Sequence, residues 1–419
     1  MKNTNILLPF VLIAFSASLP AQTAVTTPPQ PQQQASLQAF ETPGYVEATL
    51  FVPAAKMTGS LHTVGAQAVN NGLQNTYQLT SGGQSLAITG TPLLLQRINE
   101  IYALDYLRSL SKTEEFGKAL AKSAGAKVQS VVDAAKDPVG TVKNLPKGAS
   151  RFFGGIGEAL KGGKSKSEGS TVDKLAGTNK AKAALALKLG VSPYTDNQDL
   201  QDELTDTARA MAGGGLVIGA VSMLGGPVMT VINTNQHLQA TLVTSSPDDL
   251  RIVNRKKLFA LGLDRDQADT FLMHPQYSPW DKTIIVDELS RIGTNPRAFL
   301  EEAGKASNNV DVFYFLRLAQ LLLKYHKTAA PLRSISIVSG LVCGLDRDGA
   351  LVIPVSLDYA IWSERVAGRA DQFAALAGEG KEIKSLALWT DGQLSQRLCE
   401  ELTKRTISWK MQALEPANN

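Results

Sequence analysis

The sequence predicts an α+β multidomain protein, and three features carry that reading. An uncharged, glycine-rich run from Ala210 to Ile232 demands burial, because apolar surface of that extent is rarely left in water. Helix-start signals recur between residues 246 and 330. From Arg333 onward, period-two strands alternate with short amphipathic helices. The expected architecture is a small N-terminal β-hairpin/helix unit, a central all-α region with a buried glycine-rich helical hairpin, and a C-terminal α/β unit with a mixed sheet.

Residues 1–21 have the three parts of a secretory signal: basic Lys2, an apolar run from Ile6 to Ala17, and small Ala21 before Gln22. Cleavage near Ala21 predicts an exported protein, periplasmic or secreted. Residues 22–43 include TTPPQPQQQ and have little to bury, so they read as a loose tether. In residues 44–112, YVEATLFV, NTYQLT and QSLAIT read as short strands, the last two joined at Ser81-Gly82-Gly83 into a hairpin. Thr91 and Pro92 then start a helix running to about Leu110.

Residues 113–198 form a basic, partly flexible helical segment. Between Lys136 and Lys188 lie 11 basic and 4 acidic residues, so this stretch carries +7 and, against a total of +4, the remainder carries −3. Lys143, Lys147, Arg151, Lys161, Lys164 and Lys166 are the candidates for contact with an anionic surface. Phe152, Phe153, Ile156 and Leu160 add an apolar strip of the kind found in interfacial helices. The competing reading is a solvated linker whose lysines only confer solubility. GEALKGGKS from Gly157 to Ser165 approaches a phosphate-binding loop, but Gly163 puts Lys164 one position out of register.

Residues 199–330 read as a helical domain. Asp199, Asp202, Glu203 and Asp206 crowd the start of the helix that leads into the apolar run, where carboxylates suit the helix dipole. Within the run, Gly225, Gly226 and Pro227 leave two pieces shorter than the roughly 20 residues a bilayer core requires. A buried hairpin is therefore favoured over a membrane span, although Gly215 and Gly219 form a GxxxG pair. Ser246-Pro247, Ser278-Pro279 and Asn295-Pro296 mark successive helix starts, and DVFYFLRLAQLLLKYH is apolar nearly all round apart from a strip of Arg317, Gln320 and Lys324.

In residues 331–412, SISIVSGLVCG and ALVIPVS read as a hairpin turning at Asp348-Gly349. A helix from about Asp358 to Ala377, the strand SLALWT, a second helix and the strand TISWKM then argue for right-handed crossovers and a partly parallel sheet. Residues 413–419 are a tail. In open α/β sheets ligands sit beyond the carboxyl ends of the strands, which nominates Asp358, Trp362, Thr390 and Asp391 as ligand-binding candidates. Helix capping and turn formation explain the two aspartates more simply.

The remaining chemistry is sparse. Cys343 and Cys399 are the only cysteines; as a disulfide they would contribute roughly 4 kcal/mol in the chain-entropy model, and otherwise they are two buried free thiols, which is the favoured reading. His62, His237, His274 and His326 show no metal-ligand spacing, and HExxH, GxSxG and CxxC do not occur, so neither metal nor cofactor is expected. The expected function is an exported, non-enzymatic, envelope-associated binding or structural protein of bacterial type. Its partner is an anionic lipid, an envelope polymer or another envelope protein, and no nucleic-acid motif occurs. The alternatives are an exported enzyme with a pocket in the C-terminal unit, and a secreted membrane-perturbing effector.

Overall fold

The computed structural model describes residues 39–123, 178–216, 218 and 236–415. The expected signal, most of the tether, the candidate basic residues from Lys143 to Lys166 and the run from Gly219 to Ile232 lie outside the described residues. The described residues from Phe40 onward form one compact unit. It is α+β, with 13 helices among the described residues and two five-stranded sheets.

The first sheet comprises β1 (Tyr45–Glu47), β2 (Thr63–Val64), β3 (Gln67–Asn70), β4 (Asn75–Ser81) and β5 (Gln84–Thr89). The expected hairpin is β4–β5, registered from Thr76↔Thr89 to Ser81↔Gln84. YVEATLFV is a strand only over its first three residues, because Ala48–Leu50 close into a 3-10 turn, and a short helix α1 (Ala54–Met57) follows. Helix α2 (Thr91–Ser111) backs the sheet, burying Leu94, Ile98, Leu104 and Leu107. With α4 (Thr178–Leu189) and α5 (Gln198–Gly214), it encloses a core containing Tyr77, Leu79, Leu185 and Leu204. Helix α3 (Glu114–Ser123) packs on α5. The start of the apolar run is visible here: α5 ends at Gly214, Gly215 turns left-handed, and Ile218 is buried in the same core.

One ionic network holds this half together. Arg97 on α2 is 1% exposed; its guanidinium donates to Glu100 at 2.7 Å and makes a forked contact with Asp196 at 2.5 and 2.7 Å. Thr195 and Asn309 also donate to these carboxylates. Such pairs are stable only when each remaining lone pair is satisfied, as here.

The central helices are α6 (Gln236–Thr244), α7 (Pro247–Ala260), α8 (Arg265–Leu272), α9 (Pro279–Ile292), α10 (Arg297–Ala303) and α11 (Asn309–Thr328). Both Ser-Pro signals are complete capping boxes: Ser246 with Asp249 and Ser278 with Asp281. At Asn295-Pro296 the cap is different, with the Asn295 side chain accepting from Arg297 N. Helix α11 is central: it contributes Phe315, Leu318, Leu321 and Leu322 to the largest core and packs on the second sheet.

That sheet has the order β12-β10-β8-β7-β6, with β6 (Leu332–Val338), β7 (Leu341–Asp346), β8 (Ala350–Val355), β10 (Ser385–Thr390) and β12 (Ile407–Lys410). β8, β10 and β12 are parallel and β6–β7–β8 antiparallel, so the sheet is mixed. SISIVSGLVCG proved to be two strands. Ser339 and Gly340 both adopt positive φ, 48° and 75°, the mirror-image turn that closes two-residue hairpins. The central strands β7, β8 and β10 are covered on both faces and buried nearly throughout, whereas the edge strand β6 keeps the period-two alternation. Val352 and Trp389 face α11, whereas Leu351, Ile353 and Leu386 face α12 (Glu364–Ala374) and α13 (Gln396–Lys404). Pro354 is tolerated in a central strand because β7 pairs with β8 only at Leu351 and Val352. The small pair β9 (Tyr359–Ala360) and β11 (Gln393–Leu394) runs parallel beside it.

Replacing Arg97 with methionine takes the counter-ion from the buried Glu100 and the partly buried Asp196. The expected cost is about 3–5 kcal/mol, read as a lowered denaturation midpoint. A change under 0.5 kcal/mol would show that the network is not what holds α2 to the Thr195–Asn197 loop.

Candidate functional site at the strand ends

The parallel strands β8 and β10 end side by side at Val355 and Thr390, so the chain segments that follow them share one rim of the sheet. Asp391 is the first residue after β10, and its side chain is 4% exposed. It accepts from Arg317 Nε at 2.7 Å, from the Ser356 hydroxyl at 2.9 Å and from Leu357 N at 3.0 Å. Thr390 is fully buried, and its hydroxyl accepts from Gly392 N at 3.1 Å. Gly392 is required by close approach: a Cβ there would lie 2.0 Å from the Leu357 carbonyl oxygen.

Asp358 sits on the same rim, 5% exposed. One carboxylate oxygen accepts from Asn75 N and the other from Thr91 N, both at 2.8 Å. The helix that follows does not begin at Asp358: α12 starts at Glu364, capped by Ser363. Asp358 instead serves the first residue of α2, whose own N-cap position is Gly90 and has no side chain to offer. Burial pushes the Asp358 carboxyl up to about 6, the two backbone N–H groups oppose that rise, and the Asp391 charge adds to it. Tyr77 is raised by burial and by Asp358, and its hydroxyl pairs with Thr91 Oγ1 at 2.6 Å.

Asp358, Thr390 and Asp391 are thus brought together, and the chain itself fills the space they frame. The β3–β4 turn, Asn70–Asn75, enters the rim. Leu73 O accepts from Asp358 N and Tyr359 N, Gly72 O accepts from Ile361 N, and the Gln74 amide donates to Ser356 O. The Asn70 side chain donates to Tyr359 O and to Asn75 Oδ1. Trp362 has a separate role. Its ring is buried with the Arg405 guanidinium 4.6 Å above it, and its backbone exchanges hydrogen bonds with Glu41. Glu41, expected in the loose tether, is held because its carboxylate also receives the Ser395 hydroxyl at 2.5 Å.

Cys343 and Cys399 are free thiols, the reading favoured over a disulfide, but only Cys343 is buried. Cys343 is buried in β7, where desolvation pushes its thiol up to about 12, and Cys399 is half-buried on α13. The other described histidines and helix-start carboxylates make internal contacts. His62 pairs with Tyr102 OH and Lys56 O, His274 with Gly304 O, and His326 accepts from Leu332 N. Asp199 and Glu203 face Arg108, and Asp206 pairs with Arg209. Among the described residues no acidic, histidine or cysteine group has metal-site geometry. No described helix is long and apolar enough to cross a membrane.

Two features were missed in the sequence. Arg317, read only as part of a polar strip, is the counter-ion of Asp391; a lone arginine on an otherwise apolar helix was the signal. A surface groove of about 470 Å³ lined by Gln396, Cys399, Glu400, Thr403, Lys404 and Trp409 follows the outer face of α13 beside the edge strand β12. With this geometry in view, no family model, curated protein or solved structure matches the chain.

Two outcomes are expected. Asp358→Ala leaves two buried N–H groups unpaired and costs about 1–3 kcal/mol in thermal or denaturant unfolding. Because the folded carboxyl lies above its ordinary 3.8, wild-type stability falls as pH rises from about 4 to 6, and the variant loses that slope. Separately, a thiol reagent should modify Cys399 in the native protein and Cys343 only after unfolding. Equal labelling rates would contradict the burial of Cys343.

Proposed function

We propose that this chain is an exported, non-enzymatic binding protein of the bacterial envelope, whose folded unit is held at an anionic surface by its basic segment. The observation that carries the reading is the closure of the strand-end rim. The position at which open α/β sheets take ligands is filled by the chain's own Asn70–Asn75 turn, and both carboxylates there are engaged with internal donors. Chemistry directed at a partner then falls to the surface. The charge segregation supports the same reading, with +7 concentrated between Lys136 and Lys188 against −3 elsewhere. Attraction of this kind is long-ranged, weak per residue and screened within about 10 Å at 0.1 M salt.

The test is co-sedimentation of the protein lacking residues 1–21 with phosphatidylglycerol-containing vesicles at low and high salt. Binding is expected at low salt and falls as salt rises, and replacing Lys143, Lys147, Arg151, Lys161, Lys164 and Lys166 with glutamine weakens it severalfold. Binding unchanged by those replacements would overturn the role given to the basic segment.

A further inference from the structure

We infer that His62 is an acid-sensitive latch: its neutral ring fastens the loop 58–63 between α1 and α2, and a second buried cation beside Lys56 forces that loop open in acid. The device goes beyond the binding reading above and works whatever the protein binds.

The loop is a tight turn held at few points. Thr58 bridges Thr63, and Gly59 N donates to His62 O at 3.0 Å. Leu61 O accepts from the Ser81 hydroxyl of β4 at 2.6 Å. The other fastenings pass through His62 and Tyr102. The His62 ring is 5% exposed and stands edge-on to Tyr102 of α2, with centroids 5.5 Å apart. Its Nε2 lies 2.9 Å from Lys56 O and its Nδ1 3.1 Å from Tyr102 Oη, which also receives Leu61 N at 3.5 Å. The loop backbone comes so close that a Cβ on Gly59 would lie 2.1 Å from Tyr102 Oη.

These partners fix the state of the ring. A carbonyl oxygen only accepts, so Nε2 carries the proton, and Nδ1 of the neutral ring accepts from the Tyr102 hydroxyl. Protonation turns Nδ1 into a second donor, and Tyr102 must then turn its own proton away from the ring. It also creates a second cation where one is already buried. Lys56 is 4% exposed; its carbonyl meets the ring, and its ammonium donates to Asn99 Oδ1 at 3.3 Å. The remaining neighbours are neutral. The α2 helix presents Tyr102 and Asn99, β4 presents Ser81, and no carboxylate acts on the ring among the described residues.

Burial holds the ring below its ordinary 6.5, the hydrogen bond to the Lys56 carbonyl opposes that fall, and the Lys56 charge adds to it. In the open loop the ring meets water and titrates at its ordinary value. Between the two values the closed state therefore binds fewer protons than the open state, so closure is favoured above 6.5 and lost as pH falls. Opening uncovers Met57 and Leu61, which pack against the first core.

The experiment follows hydrogen exchange of the loop 58–63 in the full chain, corrected for the intrinsic effect of pH, together with NMR titration of the four histidine rings. The resonance missing in His62→Gln assigns the ring. In wild type the ring is expected to titrate below 6.5, and loop opening to rise about tenfold per pH unit as pH falls from 6.5 towards that value. His62→Gln keeps a donor for Lys56 O but cannot titrate, so its opening is independent of pH. Lys56→Met removes the neighbouring cation, which brings the ring closer to 6.5 and shrinks the pH dependence. A ring that titrates at or above 6.5, or an equal rise of opening in His62→Gln, overturns the latch. So does opening that spreads in equal measure to α9, which is global acid unfolding. Should His62→Gln fail to fold, the wild-type ring titration and the contrast between loop and α9 exchange decide the matter alone.

Discussion

A carboxylate with two oxygens and two backbone donors joins the ends of this molecule. Asp358 leaves the second sheet at its carboxyl rim and accepts the N–H of Asn75, at the start of β4, and of Thr91, at the start of α2. Burying an ionised carboxylate is costly, and the elevation of its pKa to about 6 records that cost. Two charge-assisted hydrogen bonds offset much of it. The arrangement follows from a local deficiency: Gly90 gives α2 no capping side chain, so the cap comes from a residue 267 positions away in the chain.

Around that contact, each half of the protein completes the other. The Asn70–Asn75 turn has peptide groups that its own short sheet does not satisfy, and the rim of the second sheet has carbonyls and N–H groups beyond its last strand residues. Docking one into the other satisfies both sets. Arg317 plays the corresponding part for the helical layer. It lies on α11, between the helices and the sheet, and pairs with Asp391 one residue past β10. The two aspartates therefore act as tie points, one toward the N-terminal sheet and one toward α11. Their mutual repulsion is tolerated because each has separate donors.

This arrangement moves the functional question outward. At the rim both carboxylates are engaged by donors of the chain itself, whereas the groove beside β12 presents apolar groups to solvent. In α7 Asp249 serves the cap, and Arg251, Arg255 and Lys257 pair with Asp248, Asp269 and Asp287.

Much of the fold was legible in the sequence because its signals are local. Period-two alternation, Ser-Pro helix starts, the Gly82-Gly83 turn and the apolar periodicity of α11 depend on residues within one or two turns of each other, and each marks an element that formed. The sequence also placed Asp358, Thr390 and Asp391 at one rim, since parallel strands joined by helices bring their carboxyl ends together. Tertiary structure alone decided what that rim does. Whether Asp358 meets a ligand, its own helix or a distant one depends on which backbone N–H groups lack partners after folding, and no spacing in the sequence records that. The same holds for Ile252 and Phe259, which remain partly exposed on α7. A hydrophobic residue announces a preference for burial, but whether it lies inside depends on which other elements reach that side of the helix.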